Sequence, residues 1–126
     1  MAYEHRIFIV EKTHQGYEPK LDKWFGKVIC IFNLGVMEEM HDIVQKYGPT
    51  DQFIYQPGNG DEEVVEDMYG DPLTEIPIED LYDELVDMMA NIGFRSCVYT
   101  LLLTLKGYID IKQCRLNDFV CLHYGY

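Results

Sequence analysis

Apolar residues recur along this chain with two different spacings, and the spacings divide it into strands and helices. Residues 5–12 (HRIFIVEK) pack β-branched and aromatic residues into a short run, which predicts a strand. Residues 24–32 (WFGKVICIF) predict a second, largely buried strand. The intervening THQGYEPKLDK, with Gly16 and Pro19, reads as a loop longer than a tight hairpin needs. Val36, Met37, Met40, Ile43, Val44 and Tyr47 then recur at intervals of three and four, the apolar face of a helix. Glu38 and Glu39 fall in its first turn and Lys46 in its last, matching the helix dipole, and Gly48–Pro49 is a stop signal. Residues 53–56 (FIYQ) and 62–67 (EEVVED) flank PGNG as the arms of a hairpin. Residues 69–77 (YGDPLTEIP) read as a loop. A second helix starts near Pro77, with Ile78, Leu81, Tyr82, Leu85, Met88, Met89 and Ile92 on its apolar face, and Gly93 ends or kinks it.

Residues 95–107 (RSCVYTLLLTLKG) fit either period. Their length and closing glycine favour a helix, while Val98, Tyr99 and Thr100 would suit a strand equally well. Residues 118–126 (DFVCLHYGY) predict a last strand, whose Tyr124 and Tyr126 are expected to close a core rather than form a docking tail. There is no internal repeat, low-complexity segment or linker. The expectation is a single α+β domain over residues 1–126, with about five strands in a mostly antiparallel sheet and about three helices.

Composition agrees with a folded body. Apolar residues make up 48% and aromatics 13% of the 126 residues, too many for a disordered chain. No apolar run reaches the ~18–20 residues of a membrane span. The first residues lack the apolar centre and cleavage site of a signal peptide, so a cytoplasmic location is expected. Cys30, Cys97, Cys114 and Cys121 form no C-x-x-C pair and are expected to be reduced thiols.

Charge changes the picture. Between residues 47 and 94 there are thirteen acids and neither lysine nor arginine; elsewhere nine acids meet ten bases. The formal charge of -12 therefore belongs to one segment. Such a segment repels anionic lipid and nucleic acid backbones, which argues against a membrane partner or direct nucleic acid binding. On the second predicted helix Glu79, Asp83 and Asp87 lie four apart, as do Asp80 and Glu84, so all five share the face opposite the apolar stripe. Like charges at that spacing cost roughly 0.2–0.5 kcal/mol per pair. The dipole offsets this for Glu79 and Asp80 only. Glu62, Glu63, Glu66 and Asp67 add a second acidic group on the predicted hairpin. One reading is that the rows imitate a nucleic acid backbone, which carries one charge per ~1.7 Å of duplex axis, and so attract a basic groove. A second is an acidic face that keeps a small protein soluble and blunts a sheet edge, and a third is loose, weak binding of divalent ions.

No motif carries a reaction. There is no G-x-x-x-x-G-K-[ST], G-x-G-x-x-G or H-E-x-x-H. His5, His14, His41 and His123 are scattered. Cys114, Cys121 and His123, with Cys30, lack the closely spaced pair of a zinc site. A calcium loop starting at Asn59 would place Val64 where glycine is required. Carboxylates are so abundant that no acid–base pair stands out. The expectation is a non-enzyme with no catalytic residue, metal or cofactor.

With DEEVVED and EDLYDELVD concentrating the charge, residues 51–87 resemble the small acidic proteins that bacteriophages encode, among them DNA mimics and anti-CRISPR proteins. The resemblance is one of charge and size. It implies an inhibitor that occupies a basic, nucleic-acid-binding surface on a host enzyme or defence protein. The residues placed at that interface are Glu62, Glu63, Glu66, Asp67, Glu79, Asp80, Asp83, Glu84 and Asp87. The alternative is an oligomeric structural or accessory protein that self-associates through its tyrosine-rich surface, with the acids serving solubility.

Overall fold

The computed structural model describes residues 3–56, 62–111 and 116–126. Six strands form one mixed sheet: β1 (His5–Glu18), β2 (Lys23–Gly35), β3 (Gln52–Tyr55), β4 (Glu63–Val64), β5 (Thr74–Pro77) and β6 (Phe119–Gly125). Their order is β4-β3-β2-β1-β6-β5. Every neighbouring pair is antiparallel except β2 and β3. Three helices, α1 (Glu38–Val44), α2 (Ile78–Ile92) and α3 (Ser96–Asp110), complete an α+β architecture. None of these helices is long and apolar enough to cross a membrane.

The first hairpin is longer than its composition suggests. The segment expected as a loop is largely strand: β1 runs on through Glu18, and Tyr17 and Glu18 pair with Trp24 and Lys23. Gly16 breaks the pattern without ending it. Its φ of 79° belongs to a bulge between Lys12 and Tyr17, and the Thr13 hydroxyl ties that bulge to the Phe25 carbonyl at 2.6 Å. The turn itself is only residues 19–22, where the Tyr17 hydroxyl donates to the Asp22 carboxylate.

Strand alternation sorts side chains onto two faces. Ile7 and Ile9 of β1 and Cys121 of β6 join one core with all three helices, while Phe8, Val10, Val120 and Leu122 form another on the opposite side. Helix α1 is shorter than its apolar repeat. Met37, Met40 and Ile43 are buried, but Val36 is exposed, and residues 45–47 tighten into turns. The second helix runs as expected: Ile78, Leu81, Leu85 and Met88 are buried, and Gly93, at φ 89°, stops it. The ambiguous third segment is helical, burying Val98, Leu101, Leu102 and Leu105.

Two further differences place the acidic segment. The expected loop at 69–77 contains β5, which pairs with β6 from Thr74↔His123 to Pro77↔Val120. The expected hairpin is present as β3 and β4, joined at Ile54↔Val64, while its PGNG turn lies outside the described residues. β3 pairs with β2 only at Trp24↔Gln52 and Phe25↔Phe53, and its next residue, Ile54, packs into the second core. Residues 62–73 then cross that face, held by Met68 N–H to the Gly125 carbonyl at 3.1 Å.

Candidate functional site

Helix α2 separates its residues cleanly. Its apolar stripe faces the sheet, so Glu79, Asp80, Asp83 and Asp87 are exposed. None of the four has a basic side chain within 4.0 Å among the described residues. Glu84 stands apart from them. It is half-buried, and both its oxygens accept from Lys46 Nζ, at 3.0 and 2.9 Å. That hydrogen bond raises the Lys46 pKa. Tyr47 is raised too, first by burial and then by the field of Asp80 and Glu84.

Glu62, Glu63, Glu66 and Asp67 lie elsewhere. Together with Arg6, Phe8, Ile31 and Tyr124 they line a groove on the sheet face opposite α2. Phe8 belongs to the core on that side, whereas α2 packs into the other. Glu62, Glu63 and Glu66 therefore lie across the sheet from the α2 acids, while Asp67 also faces Tyr3, His41 and His123. Asp67 also has a structural role. Its Oδ1 accepts the backbone N–H groups of Tyr69 and Asp71, at 2.8 and 3.0 Å, and shapes the turn.

A third constellation joins residues remote in sequence. His5 Nδ1 lies 2.8 Å from His123 Nε2, with both residues buried. They meet because His5 and His123 occupy adjacent antiparallel strands. Tyr3 packs against them, its ring 4.9 Å from that of His5 and 6.3 Å from those of His41 and His123. Tyr69 stacks on Tyr3 from outside, at 4.9 Å. Gly125 makes this possible, because a Cβ there would collide with the Tyr3 hydroxyl and the Asp67 carboxylate. Burial, then the charges of Asp67 and Asp71, push the Tyr3 pKa up to about 12. Burial and the two neighbouring imidazoles push His123 down to about 3, and burial with His41 lowers His5. Both rings are therefore neutral at pH 7, one donating and the other accepting.

The histidine pair is buried and packed against Tyr3. No group of three His, Cys, Asp or Glu side chains among the described residues could hold a metal ion. Cys30, Cys97 and Cys121 are free thiols, and burial raises the Cys121 pKa, which suppresses its thiolate. Cys114 lies outside the described residues, so the zinc set considered from sequence is represented by its other members alone. The terminal tyrosines divide. Tyr124 packs on Phe8, ring centres 6.0 Å apart, while Tyr126 is 42% exposed beneath the Arg6 guanidinium.

Compared with models of protein families, with curated proteins and with solved structures, the chain matches none.

Proposed function

We propose that the protein is a non-enzymatic binding protein whose acidic helix α2 docks on a basic surface of a partner protein. The observation that carries the reading is the row of Glu79, Asp80, Asp83 and Asp87, unpaired among the described residues. A helix selected for stability alone would carry a lysine at one of the last two positions. Opposite charge speeds encounter and makes binding sensitive to salt. The same field repels nucleic acid, so a surface that normally holds DNA or RNA fits the row as a competitor's target. On this reading the protein acts as an inhibitor of a nucleic-acid-processing enzyme or defence protein, as the resemblance to acidic phage proteins implies.

The test is capture from lysate at low and high salt, with the native chain and with a variant carrying Asp80→Lys, Asp83→Lys and Asp87→Lys. A nucleic-acid-processing protein retained only by the native chain at low salt is the expected result. Equal capture by the triple variant would end the proposal.

A second reading has one observation behind it. Phe94 is 70% exposed, its ring 5.4 Å from that of exposed Tyr99, and Leu103 stands exposed one turn further along α3. This weakly charged patch suits self-association by an otherwise acidic chain. A strictly monomeric sedimentation profile at the highest soluble concentration would retire it.

A further inference from the structure

The groove on the far sheet face differs from the α2 row in having a floor. Phe8, Ile31 and Tyr124 supply it, and Ile31 remains 47% exposed. Glu63 and Glu66 stand exposed along the wall. Arg6 reaches the same space from β1, with its guanidinium carbon 4.0 Å from the centre of the Tyr126 ring. Its Nε is buried and donates to no acceptor among the described residues. Buried donors are seldom left in that state, because an unmade hydrogen bond is unfavourable. The space is about 440 Å³, the size of a pocket that holds several side chains.

We infer that this groove receives an extended basic segment of the partner protein, with aliphatic and basic residues in alternation. The inference rests on the reading of the chain as a binder of basic proteins and supplies that reading with a second contact. Successive side chains of an extended segment point to opposite sides. One set therefore lies on Ile31 and Phe8, and the other meets Glu63 and Glu66. The acids of the wall outnumber the guanidinium, so an anionic ligand is disfavoured. A polycation without aliphatic residues would leave the floor uncovered.

The experiment is fluorescence anisotropy with the full chain and a short labelled peptide alternating leucine or valine with lysine. A control peptide has the same composition with its lysines in one block. Binding of the alternating peptide is expected to weaken about tenfold in Glu63→Lys/Glu66→Lys, by loss of charge complementarity. It is expected to weaken about fivefold in Ile31→Ser, which removes floor area at constant charge. The α2 triple variant should change it by no more than about twofold, since that helix lies on the other face. Circular dichroism checks each fold, and Glu66→Gln replaces the double variant if that one unfolds. Equal affinity for the block peptide, or no effect of Ile31→Ser, overturns the groove site. Weakening by the α2 variant alone also overturns it, while leaving the acidic-helix reading in place. Groove-dependent peptide binding without any salt-dependent lysate partner supports the groove and removes the helix reading instead.

Discussion

The two faces of the sheet are finished differently. Among the described residues, one is sealed by three helices and contributes sixteen buried apolar residues; the other is crossed by residues 62–73 and contributes six. The sealed face holds the fold together. The thinly covered face leaves Ile31 partly exposed, a guanidinium Nε without an acceptor among the described residues, and carboxylates around both. Acidic side chains on the sealed side sit outside α2, beyond a full layer of core. Those on the open side stand directly over the strands. Most of the buried core thus lies on one surface of the layer, and the open groove lies on the other.

That contrast can be broken by mutation. Leu85→Ala empties a fully buried position under α2 and should lower unfolding free energy by about 2–5 kcal/mol in urea titration. Ile31→Ala, on the open side, should lower it by less than about 1 kcal/mol. Equal losses would mean that the groove floor belongs to the stabilising core.

Acid supplies the next test, of intermediate size. The pair of His5 and His123 is buried neutral, and the His123 pKa falls from 6.5 to about 3 on folding. Below pH 6.5 the unfolded chain therefore binds protons that the native chain refuses, so stability falls as pH drops towards 3. By pH 5 the loss should reach roughly 2 kcal/mol. Urea midpoints from pH 7.5 to 5 measure it, and His123→Gln should flatten the profile. A native profile already flat across that range would remove the pair as its cause.

The smallest effect lies on α2. Asp83→Lys turns the repulsive pairs with Glu79 and Asp87 into attractive ones, and should stabilise by about 0.5–1 kcal/mol at low salt. Thermal melts at two salt concentrations read this. A destabilised variant would show that the row is already compensated and weaken the case that its charge serves binding.

Local pattern is enough to reveal much of this architecture. The stripe of α2 from Ile78 to Met88, the arms of β3 and β4, and β6 are all visible in residue spacing. Residues 95–107 are ambiguous because Leu and Val serve both periods, and packing of Val98, Leu101 and Leu105 under the sheet decides for the helix. β5 is hidden because Thr74–Pro77 is short and comes soon after Pro72; its pairing with β6 makes it a strand. Gly16 and Pro19 disguise the second half of β1, where pairing overrides composition. The acidic positions on α2 are legible as a helix face, but the partnership of Glu84 with Lys46 spans 38 positions and obeys no local rule. Nor does any local rule bring His5, His41 and His123 together, or set Arg6 among Glu63 and Glu66.

The distance between the two histidines has a consequence for assembly. They are 118 positions apart, and β6 must slot between β1 and β5 before the sheet is continuous. Closing a loop of that length has an entropic cost of about 4 kcal/mol before the first rung of the ladder forms. The β1–β2 hairpin can form early from local contacts, but one edge of β1 stays unsatisfied until β6 arrives. During synthesis that edge, with Ile7, Phe8, Ile9 and Val10 on it, is bare until residues 19–118 between the two strands have emerged. High contact order of this kind slows folding, and an open apolar strand invites pairing with other chains in the meantime. The long acidic segment precedes β6 in the chain, and like-charged segments repel one another.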